Sequence, residues 1–416
     1  MWVLGDTTAL PIPADPAALL DGGARFLTDA FRRFGSLSED NEVAAVTGVV
    51  DVAGGSTGRK VMLTVDYRTP GPNTELFVKF SRDLTDPARD HGRTQMAPEV
   101  AFAAASSRPD FPITVPAAMF ADYHRESGTG ILVSERIPFG GNGIEPQHLK
   151  CADYDMHDQI GHYRALIASV ARLAGSDRAV PLVHDLDADE PSVGEPPMLD
   201  DERLLRRIDR LADFADAHPG LLPEHLRTAA FLSDLRDHLP RLLAHEGRIW
   251  RELRAHPGLV ALCHWNANVD NAWFWRGADG HLRCGLLDWG GVGRMNVAMA
   301  IWGAMSGAET ALWDDHLIDL CTAFGDEFVR CGGGSIDVDL VVSHVLLYAS
   351  VMGMTWLLDV PAHIRSAVPA LSAATTRTDP AIRDVESVRC RLQMLTNVLN
   401  LWHTHGLGRM LDPFEA

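Results

Sequence analysis

The chain changes texture once, near Gly143, and this change constrains its fold more than any other feature. Before it, short Val-rich runs alternate with glycine and proline turns: 42–52 (EVAAVTGVVDV), 59–67 (RKVMLTVDY), 74–80 (TELFVKF), one around 116–121, and 130–137 (GILVSERI). Runs of this length, rich in β-branched residues and partly alternating, read as strands joined by turns. Two helices are expected among them. One spans 15–34, with Asp15 as N-cap and Pro16 at the first helical position, and the other spans 98–105, opening on Pro98 with Glu99 in its first turn. After Gly143 helical periodicity takes over, at 156–174, 201–217, 224–254, 309–331 and 338–358, interrupted by one β-rich interval from Leu259 to Gly290. The expected class is therefore α+β: a small antiparallel-sheet lobe over 1–137, a hinge over 138–143 and a larger, mainly helical lobe over 144–416.

Composition excludes several alternatives. With 416 residues, 46% of them apolar and 22% charged, the chain is an ordinary globular protein that can bury a large core. Its 37 basic residues against 56 acidic ones give a formal charge of −19, which opposes nucleic acid or an anionic membrane surface as partner. The six cysteines are scattered with no CxxC pair, and reduced thiols in the cytoplasm are the simplest account. The first residues lack the basic and apolar regions of a signal peptide. The most apolar stretch, 341–358, contains His344, Ser343, Ser350 and Thr355 and reads as a buried helix rather than a membrane span. No heptad seam speaks to oligomeric state.

The residues that could carry chemistry fall in two places. In the β-rich interval, LCHWNANVDNAWFWRGADGHLRCGLLDWG puts His264, Asn266, Asp270 and Asn271 on one loop and Asp288 after a short apolar strand. Magnesium takes hard oxygen ligands, and Asn271 with Asp288 would supply a pair. Near the N-terminus, Lys79 stands inside the apolar strand LFVKF, Glu99 stands on the following helix, and Gly54, Gly55 and Gly58 with Ser56 and Thr57 form a turn of small residues. Taken singly, each has an ordinary reading: a hairpin turn, a solvated lysine, a first-turn acid favoured by the helix dipole, a core histidine.

Taken in order, these residues resemble the aminoglycoside phosphotransferase family and its ecdysteroid-kinase-like relatives, which share the protein-kinase-like two-lobe fold. Family loops read HxDxxxxN and are followed by a strand ending in a metal-binding Asp. Here His264, Asn271 and Asp288 match. The resemblance spans about 42 to 300, and it implies a set of roles. Lys79 would hold nucleotide phosphates and pair with Glu99. Gly54, Gly55 and Ser56 would cover the phosphates, with Arg59 and Lys60 adding to the local field. The connection at Ser134–Ile137, including Glu135 and Ile137, would bind adenine through the main chain, and Asn271 and Asp288 would hold Mg2+. The implied cofactors are ATP or another nucleoside triphosphate and magnesium. The implied partner is a small-molecule acceptor, and Asp153, Asp155 and other acids could favour one bearing an amine.

One departure bears on function. The family expects Asp where this chain has Asn266, at the position that accepts or orients the proton of the attacking hydroxyl. Asn cannot be that base. Its oxygen can still aim a hydroxyl, and Asp270 is a candidate for a relocated base beside His264. A family Asp that braces the loop is also missing from 291–301, where Arg294 and Asn296 are the substitutes to consider. Two readings stay open. The first is an ATP- and Mg-dependent phosphotransferase acting on a small-molecule hydroxyl. The alternative is a catalytically silent kinase-like protein, a pseudokinase, that binds nucleotide or another ligand. Nucleotidyl transfer is a weaker third.

Overall fold

The computed structural model describes residues 1–52, 54, 57–183 and 200–414. Gly55 and Ser56, expected in the phosphate turn, lie outside the described residues. The chain divides into two compact units. The first holds Met1–Glu145, the described residues from Pro181, and Gly285–Gly293; the second holds Pro146–Val180, the described residues up to Cys284, and the chain from Arg294 onward. The cut after Glu145 lies close to the expected hinge, but nine residues from far along the sequence belong to the first unit.

The first unit begins with a small antiparallel pair, β1 (Trp2–Leu4) and β2 (Pro11–Pro13), followed by α1 (Pro16–Phe34), whose N-cap Asp15 accepts from the Ala18 amide. Then come β3 (Val43–Asp51), β4 (Arg59–Tyr67), β5 (Glu75–Phe80), α2 (Pro87–His91), α3 (Met96–Ser106), β6 (Ala118–His124) and β7 (Thr129–Glu135). The five strands form one antiparallel sheet in the order β3-β4-β5-β7-β6. Strand periodicity of two sends alternate residues to opposite faces. Val61, Leu63 and Val65 of β4 and Leu76, Val78 and Phe80 of β5 therefore share one buried face with Leu27 and Phe31 of α1. Lys79 falls on the other face of β5, and the register sets it beside Lys60 on one strand and Leu132 on the other. Helix α3 covers that second face through Met96, Val100 and Ala103, packed on Ala121 and Tyr123.

The second unit is mainly helical, with α4 (Gln159–Ala179), α5 (Asp201–Ala217), α6 (Ala229–Arg254), α7 (Val297–Met305), α8 (Thr310–Arg330), α9 (Val338–Met352), α10 (Val360–Ala367), α11 (Pro380–Arg383) and α12 (Glu386–His405). Between α6 and α7 the chain passes through four short strands, β8 (Val260–His264), β9 (Ala272–Arg276), β10 (Leu282–Leu286) and β11 (Val292–Asn296), paired β8 with β11 and β9 with β10. Two expected helices are cut differently. The run from 224 breaks at Thr228, whose hydroxyl caps α6 by accepting from the Phe231 amide. The run to 358 leaves α-geometry at Gly353 and continues as one wide π-turn, where a Cβ on Gly353 would lie 2.3 Å from Val398 of α12. Among the described residues, no helix is long and apolar enough to cross a membrane.

Candidate active site

Lys79 is 8% exposed, so its ammonium needs counter-charges inside the protein. It has two. Nζ lies 2.7 Å from Glu99 Oε2 on α3 and 2.7 Å from Asp288 Oδ1 in the segment after β10. Lys79 and Asp288 are 209 positions apart in sequence and both belong to the first unit. Burial works against the charge on Lys79, but Glu99 and Asp288 outweigh it and hold the ammonium firmly protonated. Burial also pushes the Glu99 carboxyl up, with Lys79 offsetting part of the rise.

More positive charge is gathered at the same place. Lys60 is pushed down by burial, with Lys79 and Arg89 acting in the same direction and Asp288 and Glu99 against it. Arg89 of α2 donates to the carbonyls of Gly54 at 3.3 Å and Gly58 at 2.5 Å, pinning the turn between β3 and β4. Gly58 is required there: φ is +54° and a Cβ would stand 1.8 Å from the Phe80 carbonyl oxygen. Arg59 turns away to pair with Asp51 on the exposed surface. Arg89 also pairs with the buried Asp83 at 3.6 Å, so Lys60 and Lys79 are the cations set directly against Glu99 and Asp288, a grouping suited to phosphate oxygens.

Asp288 has a left-handed backbone, φ +62°, a conformation Asp adopts more readily than most residues. The flanking Trp289 fixes it. Its ring stacks on Phe102 of α3 and its Nε1 donates to the Leu286 carbonyl at 3.2 Å. Gly290 leaves the charged cluster unobstructed: a Cβ there would sit 3.8 Å from Lys79 Nζ and 3.9 Å from Asp288 Oδ1.

In the expected connection, Glu135 is engaged within the sheet. Glu135 uses both carboxylate oxygens within the sheet, accepting from the Ala117 amide at 2.9 Å and Asn73 Nδ2 at 2.6 Å. Its own amide donates to Ala117 and that of Arg136 to Glu75. The amide of Ile137 is bound by no described residue.

The loop after β8 lies in the second unit. His264 is fully buried and its Nδ1 accepts from the Asn266 amide at 3.2 Å, so it shapes the loop. A ring buried to this degree supports the loop from beneath. Asn266 is engaged as well. Its Oδ1 accepts from Lys150 Nζ at 3.1 Å and from Asn268 Nδ2 at 2.8 Å, which fills both lone pairs. The oxygen expected to aim a hydroxyl is already taken. Asn271 donates through Nδ2 to the Asn266 carbonyl at 2.8 Å, leaving Oδ1 with no donor among the described residues. The Asp270 carbonyl accepts from Gln147 at 3.0 Å.

The brace expected near Arg294 exists in another form. Arg294 makes a two-pronged pair with Asp177, fully buried on α4, and Asp177 also accepts from the Leu262 amide of β8 at 3.0 Å. Asn296 caps α7 and donates to the Leu253 carbonyl. Sequence reasoning missed Arg89 and Lys150. The pair Asp86–Pro87, an N-cap followed by proline, signals the helix that carries Arg89; nothing local signals Lys150.

Chemically, Asp288, with a side chain 39% exposed, is a hard ligand that suits magnesium, and the neighbouring cations suit a polyphosphate. No family model matches the chain, and no curated protein matches its sequence. Among solved structures it is similar to a spectinomycin phosphotransferase in complex with ADP and spectinomycin, at 13% identity over 87% of this chain and 94% of that one, TM-score 0.44. It is also similar to choline kinase from Cryptosporidium parvum Iowa II, at 11% identity over 87% and 91%, TM-score 0.42. A third is the microcompartment-associated aminopropanol kinase, at 13% identity over 91% and 98%, TM-score 0.41.

Proposed function

We propose that the chain is a nucleoside-triphosphate- and magnesium-dependent phosphotransferase acting on a small molecule. The observation that supports it is the Lys79 ammonium held between Glu99 and Asp288, with Lys60 and Arg89 alongside. Burying such a cluster costs several kcal/mol per ion and makes a poor stabilising device, so strongly perturbed charges gathered beside a glycine turn point to a ligand. In this reading Lys79, Lys60 and Arg89 hold phosphate oxygens, and Glu99 keeps Lys79 in place. The Ile137 amide meets the base. Asp288 would hold the metal, which when bound neutralises charge on the transferring phosphoryl group.

A second reading is favoured by a specific observation. Asn266 has no carboxylate and its oxygen is saturated, so the chain lacks a base there, as a silent nucleotide-binding protein would. One experiment separates these readings. Titration calorimetry with ATP and Mg2+ on wild type and Asp288→Ala reports binding, and the mass gained by acceptors in a broad panel reports transfer. Mg-dependent binding lost in Asp288→Ala supports the site. Binding without any transfer leaves the silent reading, and unchanged affinity in Asp288→Ala overturns the metal assignment.

A further inference from the structure

Helices α6 and α9 of the second unit line a cavity of about 530 Å³, large enough for a small organic molecule. It shares no residue with the charged cluster around Lys79. Arg251 and Glu252 come from α6, with Arg248 one turn earlier, and Ser343 and His344 come from α9. Leu340, Leu347 and Met410 supply an apolar wall. His344 is 1% exposed, and its hydrogen can be placed from its neighbours. Asn296 Oδ1 accepts from the Ala298 amide at 2.9 Å, so its Nδ2 is the atom that meets the Leu253 carbonyl and His344 Nδ1, each at 2.8 Å. An amide NH2 only donates; Nδ1 therefore accepts, and the hydrogen of the neutral ring sits on Nε2. Burial and the neighbouring His256 hold the ring below the usual histidine value, which keeps it neutral at pH 7. That buried N–H meets no hydrogen-bond acceptor among the described residues, and Glu252 Oε1 stands 3.8 Å away, too far to serve.

Glu252, His256 and His344 are gathered closely enough for a metal site. The hydrogen on His344 Nε2 argues against one, because a ring whose Nδ1 already accepts would have to give up its last N–H to bind the ion. What the cavity holds instead is unspent chemistry of both signs. Besides the His344 N–H, the Ser343 hydroxyl and the Arg251 guanidinium have no hydrogen-bond partner among the described residues. Glu252 Oε1 lies 3.0 Å from His256 Nε2, and Glu252 Oε2 has no donor among the described residues. An anion alone would be set against Glu252, and a cation alone against the guanidinium groups. We infer that the cavity binds a free α-amino acid with an apolar side chain, its carboxylate on His344 Nε2, Ser343 and Arg251, its ammonium on Glu252, and its side chain against Leu340, Leu347 and Met410. The 3.8 Å between His344 Nε2 and Glu252 Oε1 matches a ligand that carries both charged groups on one carbon. Such a ligand has no hydroxyl to receive phosphate, so this is a site for a second molecule, beyond the reaction proposed above.

The test is titration calorimetry of the full chain at pH 7 with L-leucine, L-methionine and L-phenylalanine, beside three truncated forms of leucine: 3-methylbutylamine, which lacks the carboxylate, 4-methylpentanoate, which lacks the ammonium, and glycine, which lacks the apolar body. At least one of the three apolar amino acids is expected to bind, and for leucine each truncation is expected to weaken binding about 10-fold or more. Arg251→Gln and Glu252→Gln alter side chains that reach solvent. Each is expected to weaken amino-acid binding about 10-fold while the thermal unfolding midpoint and Mg-ATP affinity stay at their wild-type values. No binding of leucine, methionine or phenylalanine overturns the inference. So does a truncated form that binds as tightly as leucine, or amino-acid affinity unmoved in either variant. None of these outcomes touches the phosphotransferase reading, which stands or falls on Mg-ATP binding and its loss in Asp288→Ala.

Discussion

The indole of Trp289 lies flat on the ring of Phe102, centroids 3.8 Å apart and planes 19° from parallel. One ring belongs to the residue after Asp288 and the other to the helix that carries Glu99, so a single apolar contact fixes the separation of two carboxylates that share one lysine. Trp289→Ala is expected to cost about 3–5 kcal/mol of stability, and Trp289→Phe much less. Denaturant unfolding of both variants measures it. If the contact sets the site, Mg-ATP affinity falls in Trp289→Ala and largely recovers in Trp289→Phe.

Lys79→Met leaves Glu99, 3% exposed, close to Asp288 with no cation between them. Removing one partner of a buried ion pair costs about 3–5 kcal/mol. Because the Glu99 carboxyl is already pushed up by burial, loss of the ammonium pushes it further. A carboxyl raised in the folded state binds protons that the unfolded state releases, so stability falls as pH rises through that range. The variant is therefore expected to lose more stability at neutral pH than at mildly acid pH, as read by urea unfolding across pH 5–8.

Gly58→Ala sets a methyl group 1.8 Å from the Phe80 carbonyl oxygen on a backbone with φ +54°. The left-handed conformation alone costs about 1–2 kcal/mol for a non-glycine residue, and the clash displaces the strand end that follows Lys79. Thermal unfolding is expected to shift down, and nucleotide affinity measured by calorimetry is expected to drop with it.

Asp153 is 1% exposed and burial lifts its carboxyl to about 7, with the Tyr163 hydroxyl at 2.6 Å pulling it partly back. The folded value is above the unfolded one, so this group favours the folded state at low pH, and the advantage is lost as pH rises from about 4 to about 7. The ceiling on that loss is about 4 kcal/mol. Asp153→Asn is expected to flatten the pH dependence of unfolding over this window; an unchanged profile would show that Asp153 is not its source.

Asp177→Asn keeps an acceptor for the Leu262 amide but removes the charge that pairs with Arg294. Asp177 is 1% exposed, so the change is expected to cost about 3 kcal/mol or more. Hydrogen exchange should quicken at the amides of β8, the strand that leads into His264.

The α+β class was legible because strand and helix periodicities differ and each segment keeps to one of them. Lys79 was legible as buried because its neighbours Phe77, Val78 and Phe80 are apolar, and Asp288 was legible as a candidate because it follows a short apolar strand. Helix α12 was not, because it is buried on several sides and carries polar residues inward: Asn397 donates to the carbonyls of Ser306 and Ala308, and Gln393 to Ala308. That pattern has no single apolar stripe to detect. The saturation of Asn266 was hidden for another reason. Its donor, Lys150, lies 116 positions away, and no spacing rule reaches so far. The residue type showed that a base was missing, whereas only the hydrogen bonds showed that the oxygen was taken.

Residues 285–293 return to the first unit long after the chain has left it, fastened by the Leu286 amide to the Thr114 carbonyl at 3.0 Å. A gene fragment ending at Glu145 would therefore encode a sheet with an exposed Phe102 and a Lys79 stripped of one acid. Expressed by itself it would be a sticky, mis-charged remnant, whereas supplying the missing peptide in trans offers a way to rebuild the cluster from two pieces.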